Sequence, residues 1–199
     1  MINVFLNALF VENLALAFFL GICTMLGGSR HVSTAVGLGA AIVVVMMVTV
    51  PLNHLVFRFL LAPGAWSWIG LADLDLSHLS LICFIGLIAA TVQVLEMVLD
   101  RYFSSLAKAL GVFLPLITVN CAVLGGSLFM VNRNYSLAES SVFAAGSGLG
   151  WCLAVVGLAA IREKIAPDDA GVADSGSRVF VAIGIMSTAY MAFSGVRLP

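Results

Sequence analysis

A seven-residue string occurs twice in this chain, as Cys23-Thr-Met-Leu-Gly-Gly-Ser29 and as Cys121-Ala-Val-Leu-Gly-Gly-Ser127. Five of the seven positions are identical, and the copies stand 98 residues apart in a chain of 199. An offset of about half the length predicts a duplication, with residues 1–100 and 101–199 as its two units. Both copies lie in apolar runs that would otherwise read as smooth helices. The second run, LPLITVNCAVLGGS from Leu114 to Ser127, also carries Pro115 and Asn120. Proline removes a backbone donor and disfavours helix at the residue before it. Paired glycines favour a break or a close backbone approach. Each copy therefore reads as an interrupted membrane segment that presents one cysteine.

Composition fixes the class. The chain is 62% hydrophobic and 10% charged, where soluble domains carry roughly 25% charged residues. It is expected to be an all-α integral membrane protein. A spanning helix takes about 20 apolar residues, and six candidates occur, at roughly 3–26, 34–61, 79–99, 108–131, 138–161 and 178–196. They leave no room for a soluble catalytic domain. The first begins with almost no basic residues and no small-residue cleavage site, so Met1 is expected to start the mature protein. Three segments per half is an odd number, so the two three-helix repeats must enter the bilayer from opposite sides. Breaks approached from opposite faces can then meet at mid-bilayer.

The net charge of −1 gives no argument for nucleic acid, but the basic residues orient the chain. With the N-terminus outside, Arg30, Arg101, Lys108, Arg162, Lys164 and Arg178 face inward, against Arg58, Arg133 and Arg197 outward. Under the positive-inside rule both termini are expected outside. The 162–177 stretch, with six of the nineteen charged residues, is then an inner polar linker. Trp66, Trp68, Asp73 and Asp75 read as an outer interfacial loop, and Pro51-Leu-Asn-His54 as a bend or end to the second segment.

Three acids stand out. Glu12 lies in the first segment, where an ionised carboxylate costs about 2.5–3.5 kcal/mol on insertion scales. It is either a cation or proton contact or a protonated or capped acid near a break. Glu96 stands at i,i+3 from Gln93 and i,i+4 from Asp100, which puts all three on one helix face near the inner surface. That face is either a sodium or proton entry site or a solvated helix end.

Of the four cysteines, Cys83 and Cys152 sit in smooth helical runs and read as packing residues. No CxxC pair occurs, which excludes zinc-ribbon and thioredoxin chemistry. Thiolates suit soft metals, and iron–sulfur clusters are usually held by four. Cys23 and Cys121, equivalent in the repeat, are half of such a set, and a partner would supply the rest. His31, His54 and His78 lie at segment ends, not in facing pairs, which disfavours haem. No phosphate loop or Rossmann fingerprint is present, so no NADH site is expected. GSGLGW at 146–151 reads as glycine-mediated helix packing.

The stretches FVENLALAFFLGIC, VSTAVGLG, QVLEMVLD, FLPLITVNCAVLGG, AGSGLGW and MAFSGV, in order across nearly the whole chain, resemble the E subunits of sodium-translocating NADH:ubiquinone reductases. The homologous A subunit of Rnf electron-transport complexes shares the cysteine stretches. The resemblance implies a six-helix subunit of the bacterial inner membrane, within a six-subunit complex (A to F). It would pair with a homologous D subunit of opposite orientation. It also implies a [2Fe-2S] centre between the pair, with two cysteines from each, and these map onto Cys23 and Cys121. Electrons would pass from an NADH- and FAD-binding subunit through this centre toward covalent FMN. The S/D-G-A-T flavinylation motif is absent here, so no flavin is expected on this chain. The competing expectations are the Rnf counterpart, a stand-alone inverted-repeat secondary transporter using Glu12 and Glu96, and a purely structural scaffold.

Overall fold

An apolar chain without surrounding water must pair its backbone internally, and a helix does so within one segment. The computed structural model describes residues 1–62, 77–102, 114–165 and 172–194, and every regular element among them is helical. In order these are α1 (Ile2–Leu6), running into a π-helical turn at Asn7–Val11, then α2 (Ile22–Gly28) and α3 (Val32–Val56). A π-helical turn at Phe57–Leu61 extends α3, and a 3-10 turn at Ser77–Leu79 leads into α4 (Ser80–Tyr102). The second half contributes α5 (Leu114–Thr118), α6 (Cys121–Asn132), α7 (Leu137–Ile165) and α8 (Val172–Ser194).

Four helices among the described residues are long and apolar enough to cross a membrane: Val32–Leu61, Ser80–Tyr102, Pro115–Asn132 and Leu137–Lys164. The other two expected spans are shorter as apolar helices, at Ile2–Val11 and Gly176–Ala192. The first is shortened by a break, since Glu12–Gly21 leaves regular helix before α2 begins. The stretch expected to form an outer loop, with Trp66, Trp68, Asp73 and Asp75, lies outside the described residues.

Two expectations are revised. Pro51 does not end the second segment, because α3 runs through it to Val56. Proline forfeits one i→i−4 bond, and the surrounding helix, buried along one side by Met46, Thr49, Val50 and Asn53, carries on past it. The polar linker is also shorter than its charge suggested. Helix α7 extends to Ile165 and α8 starts at Val172, leaving 166–171 outside the described residues.

Part of that charge has a structural task. Arg162 Nη1 donates to Leu26 O (2.9 Å) and to Ser29 Oγ (2.7 Å) at the C-terminal end of α2. Its neighbour Glu163 accepts the Val32 N–H at the start of α3 (2.8 Å). His31, the N-cap of α3, offers no capping bond of its own. A cation on orphan carbonyls and an anion on an orphan N–H both match the helix dipole. Two adjacent residues of α7 thus close both ends of one turn. At its own start α7 carries a capping box, with Ser136 N donating to Glu139 Oε2 (2.9 Å) and Glu139 N to Ser136 Oγ (3.4 Å).

The core forms where α7 crosses α3 and α1. A Cβ added at Gly148 would sit 3.1 Å from Val43 Cα, and one at Gly39 would run into Cys152 Sγ. The pairing of 43 with 148 and 39 with 152 makes α3 and α7 antiparallel. On another side of α7, a Cβ at Gly146 or Gly150 would meet the carbonyls of Phe5 (2.8 Å) or Leu9 (2.9 Å). The GSGLGW run is therefore a helix-packing surface, and Cys152 packs in it. Trp151, in the same run, is fully buried.

Candidate metal centre

The two cysteine turns come together. Between Glu12 and Gly21 the backbone is irregular, with Phe19 at φ 56° and Gly21 at φ 80°. Irregular backbone at membrane depth persists only where its polar groups find partners, and here they do. Asn13 Oδ1 accepts from Ala15 N (2.9 Å) and Leu16 N (3.3 Å), while its Nδ2 donates to Gly150 O (2.7 Å). Ser187 Oγ donates to Leu16 O (2.7 Å), and Trp151 Nε1 donates to Leu20 O (3.3 Å). Helices α7 and α8 thus hold the break open from the side.

The second break is tighter. Asn120 adopts extended backbone (φ −71°, ψ 116°) and its side-chain oxygen accepts from Ala122 N at 2.8 Å, capping α6. Pro115 sits in the first turn of α5, where its missing N–H costs least. Asparagine, then, is what interrupts this segment. The glycine pairs lie within helices, where they admit close neighbours. Leu38 lies against Gly28, Leu20 against Gly125 and Met46 against Gly126.

Across the gap, Gly21 N donates to Cys121 Sγ (2.9 Å), and Asn120 Nδ2 donates to Thr24 Oγ1 (3.3 Å). Cys23 lies between Gly21 and Thr24, so the turn carrying one cysteine is bonded to the turn carrying the other. Cys121 is half-buried and Cys23 is exposed on the chain's surface. Among the described residues no three of His, Cys, Asp and Glu converge. A four-ligand centre built on these thiols would draw its remaining ligands from outside the described residues. The donor set suits an iron–sulfur centre, with two thiols and a backbone N–H directed at one sulfur. Cys83, on α4, and Cys152, against Gly39, belong to other parts of the fold.

The acids are scattered. Glu12 forms an ion pair with Arg133, whose Nη1 also donates to Tyr135 Oη at 3.1 Å. The Arg133 guanidinium lies 5.6 Å from the Phe129 ring centroid. The bond that Arg133 donates to the Glu12 carboxylate raises the Arg133 pKa further above its already high range. A mobile cation reaching Glu12 would have to compete with that guanidinium. Glu96 is half-buried on α4, with Gln93 and Asp100 exposed beside it.

Sequence reasoning singled out Glu12 and both cysteines, but took Arg133 only as an outward charge, Trp151 only as part of a packing run and Asn120 only as a polar residue in the second run, and gave no role to Gly21 or Asn13. The asparagines had a readable signal. Each stands in an apolar run two residues before an alanine whose N–H it caps.

The whole chain has known relatives. Residues 1–197 match the family described as "Rnf-Nqr subunit, membrane protein". A relative from Psychrobacter cryohalolentis, named as the E subunit of a Na(+)-translocating NADH-quinone reductase, is 54% identical over 198 residues, covering 99% of this chain and 98% of its own. E subunits of the same name from Pseudomonas paraeruginosa and Ectopseudomonas mendocina are 56% and 55% identical over the same shares. On a full-length family match and this level of identity to E subunits, the chain belongs to the Rnf-Nqr family of membrane subunits.

Proposed function

We propose that this chain is the E subunit of a sodium-translocating NADH:quinone reductase of the bacterial inner membrane. In it, Cys23 and Cys121 supply two of the four ligands of a [2Fe-2S] centre, and a homologous D subunit supplies the other two. The observation that carries the proposal is the bonded contact between the two cysteine turns, Gly21 to Cys121 and Asn120 to Thr24. The exposure of Cys23 supports a shared centre, because a thiol on the chain's surface is open to a partner. The names of the relatives favour this reading over a ferredoxin-linked Rnf subunit.

Bound there, the centre supplies a one-electron carrier between flavin-bearing subunits. This chain's own residues do the positioning. Asn120 and Gly21 hold the two turns in register through their bonds to Thr24 and Cys121. The chain is not catalytic alone and binds no NADH, flavin or haem by itself. It works within a six-subunit assembly, in contact with lipid.

The proposed topology has two inverted three-helix repeats, 1–100 and 101–199, with both termini periplasmic. The antiparallel crossing of α3 and α7, which correspond to the second expected span of each half, supports it. Glu96 and Asp100 are proposed sodium contacts on the inner side, supported by the shared face they form with Gln93. Glu12 serves the same ion path only if it is released from Arg133.

The test is the iron and acid-labile sulfide content of the purified complex, read with its polypeptide composition. About two irons and two sulfides assigned to the D–E pair are expected. A complex without membrane iron, or a chain that purifies as an iron-free homomer, would return the reading to a secondary transporter.

A further inference from the structure

The bond from Gly21 to Cys121 and the bond from Trp151 to Leu20 meet on one peptide unit. The carbonyl of Leu20 and the N–H of Gly21 belong to the same amide. Trp151 Nε1 donates to that carbonyl at 3.3 Å, and the N–H of the same amide donates to Cys121 Sγ at 2.9 Å. Trp151 is fully buried on α7, and Gly21 is buried as well. The indole, the amide and the sulfur therefore form a continuous relay, N–H···O=C–N–H···S, from the helix core to one cysteine.

The sequence around the relay leaves little freedom. Gly21 has φ 80°, a conformation side chains rarely adopt. A Cβ there would lie 2.7 Å from Trp151 Nε1 and 2.8 Å from Asn120 Oδ1. The indole and the cap of α6 thus crowd the space beside Gly21 and leave no room for a side chain next to the relay amide. Accepting a hydrogen bond at its oxygen polarises an amide and strengthens the bond its N–H makes. A donor directed at a ligand sulfur stabilises the more negative, reduced form of an iron–sulfur centre, so such bonds set its potential. Among the described residues the polar neighbour of Cys23 is instead the Thr24 hydroxyl beside it in sequence, with Oγ1 at 3.9 Å.

We propose that Trp151 is a positioning residue that tunes the iron–sulfur centre through the Leu20–Gly21 amide, making Cys121 the electronically favoured ligand of the pair. The proposal rests on the reading that Cys121 is a ligand. Trp151 touches neither the centre nor any substrate; it acts through the amide it fixes. Removing the indole N–H should leave the iron in place and lower the midpoint potential. It should also weaken the coupling between the centre and the exchangeable proton on the Gly21 amide.

The experiment uses the intact purified complex with Trp151→Phe in this chain. Iron and sulfide are assayed, the potential is measured by an EPR-monitored redox titration, and exchangeable-proton coupling is compared in H2O and D2O. Ser187→Ala is the control, because Ser187 also holds the break, at Leu16, but not the relay amide. The expected result is full iron in both variants, with a lower potential and altered proton coupling only in Trp151→Phe. Full iron with an unchanged potential in Trp151→Phe overturns the relay, and so does an equal shift in Ser187→Ala. Should Trp151→Phe fail to assemble, incorporation of 3-benzothienylalanine at position 151 keeps the ring shape without the N–H and decides by the same criteria. Iron retained in Cys121→Ser would instead overturn the ligand reading beneath the proposal.

Discussion

Asn120, in the second half of the chain, reaches Thr24 in the first, its Nδ2 donating to the threonine hydroxyl over 3.3 Å. Its Oδ1 meanwhile caps Ala122 N at 2.8 Å, so one fully buried side chain both starts α6 and ties it to the cysteine turn of α2. Asn120→Leu keeps the branched shape of the side chain and removes both bonds. Losing a cap costs about 0.5–2 kcal/mol, and a buried inter-helix bond in a membrane adds about 0.6 kcal/mol. The purified complex is expected to lose thermal stability and part of its iron, whereas Asn120→Asp, which keeps the cap acceptor, should lose less.

Arg162 gives a second outcome. It donates to both Leu26 O and Ser29 Oγ at the end of α2. Charge-assisted bonds of this kind are worth about 1.5–3 kcal/mol. Arg162→Met should therefore destabilise the α2–α3 turn more than Lys164→Met, since Lys164 is exposed. Limited proteolysis near residues 29–31 reads the difference. Equal protection in the two variants would show that the cap contributes nothing.

The packing surface of α7 gives a third. Gly146 faces the Phe5 carbonyl, and a Cβ there would meet it at 2.8 Å. Backbone cannot yield as a flexible side chain does, and overpacking of this kind costs about 1–3 kcal/mol. Gly146→Val should lower the assembled fraction of the complex. Gly184→Val, where the space is open, should not.

How much of this was legible beforehand depends on the residue. Apolar runs of spanning length located the long helices, and the repeat directed attention to Cys23 and Cys121. The interruptions fall just before the two cysteines, but neither the glycine pairs nor Pro115 makes them. Glycine within a membrane helix admits a neighbour as readily as it breaks the helix, and here Leu38 and Met46 fill the space. The breaks fall where Asn13 and Asn120 offer side-chain acceptors to the backbone. Which of the two roles a glycine takes depends on the neighbours that packing brings to it, as with Leu20 of the first half lying against Gly125 of the second. For the same reason the charge of Arg162 and Glu163 read as a solvated linker. Their helix-capping role depends on α2 and α3 folding back beside α7.

Glu96 offers a fourth expectation, on the ion path. Glu96→Gln removes the charge from the face shared with Gln93 and Asp100. The sodium dependence of turnover is expected to weaken more than assembly of the complex does. An unchanged sodium titration in a fully assembled complex would remove Glu96 from the path. The Glu12–Arg133 pair, each side chain about a quarter to a third exposed, should contribute about 0.2–1 kcal/mol in a double-mutant cycle.

Topology is a fifth. A reporter fused after Pro199 is expected to read as periplasmic, and one inserted within 166–171 as cytoplasmic. The reverse pattern would overturn the assignment of sides.

The central claim is that Cys23 and Cys121 together hold membrane iron. Its most direct test is the iron and acid-labile sulfide content of complexes purified with either cysteine changed to serine, beside a Cys83→Ala/Cys152→Ala control. Cys23→Ser or Cys121→Ser should abolish the centre and stop electron flow from NADH to quinone, while NADH oxidation by an artificial acceptor survives. The control should keep both iron and activity. Iron retained in the Cys23→Ser/Cys121→Ser double variant, and lost from the Cys83→Ala/Cys152→Ala one, would contradict the account at its base.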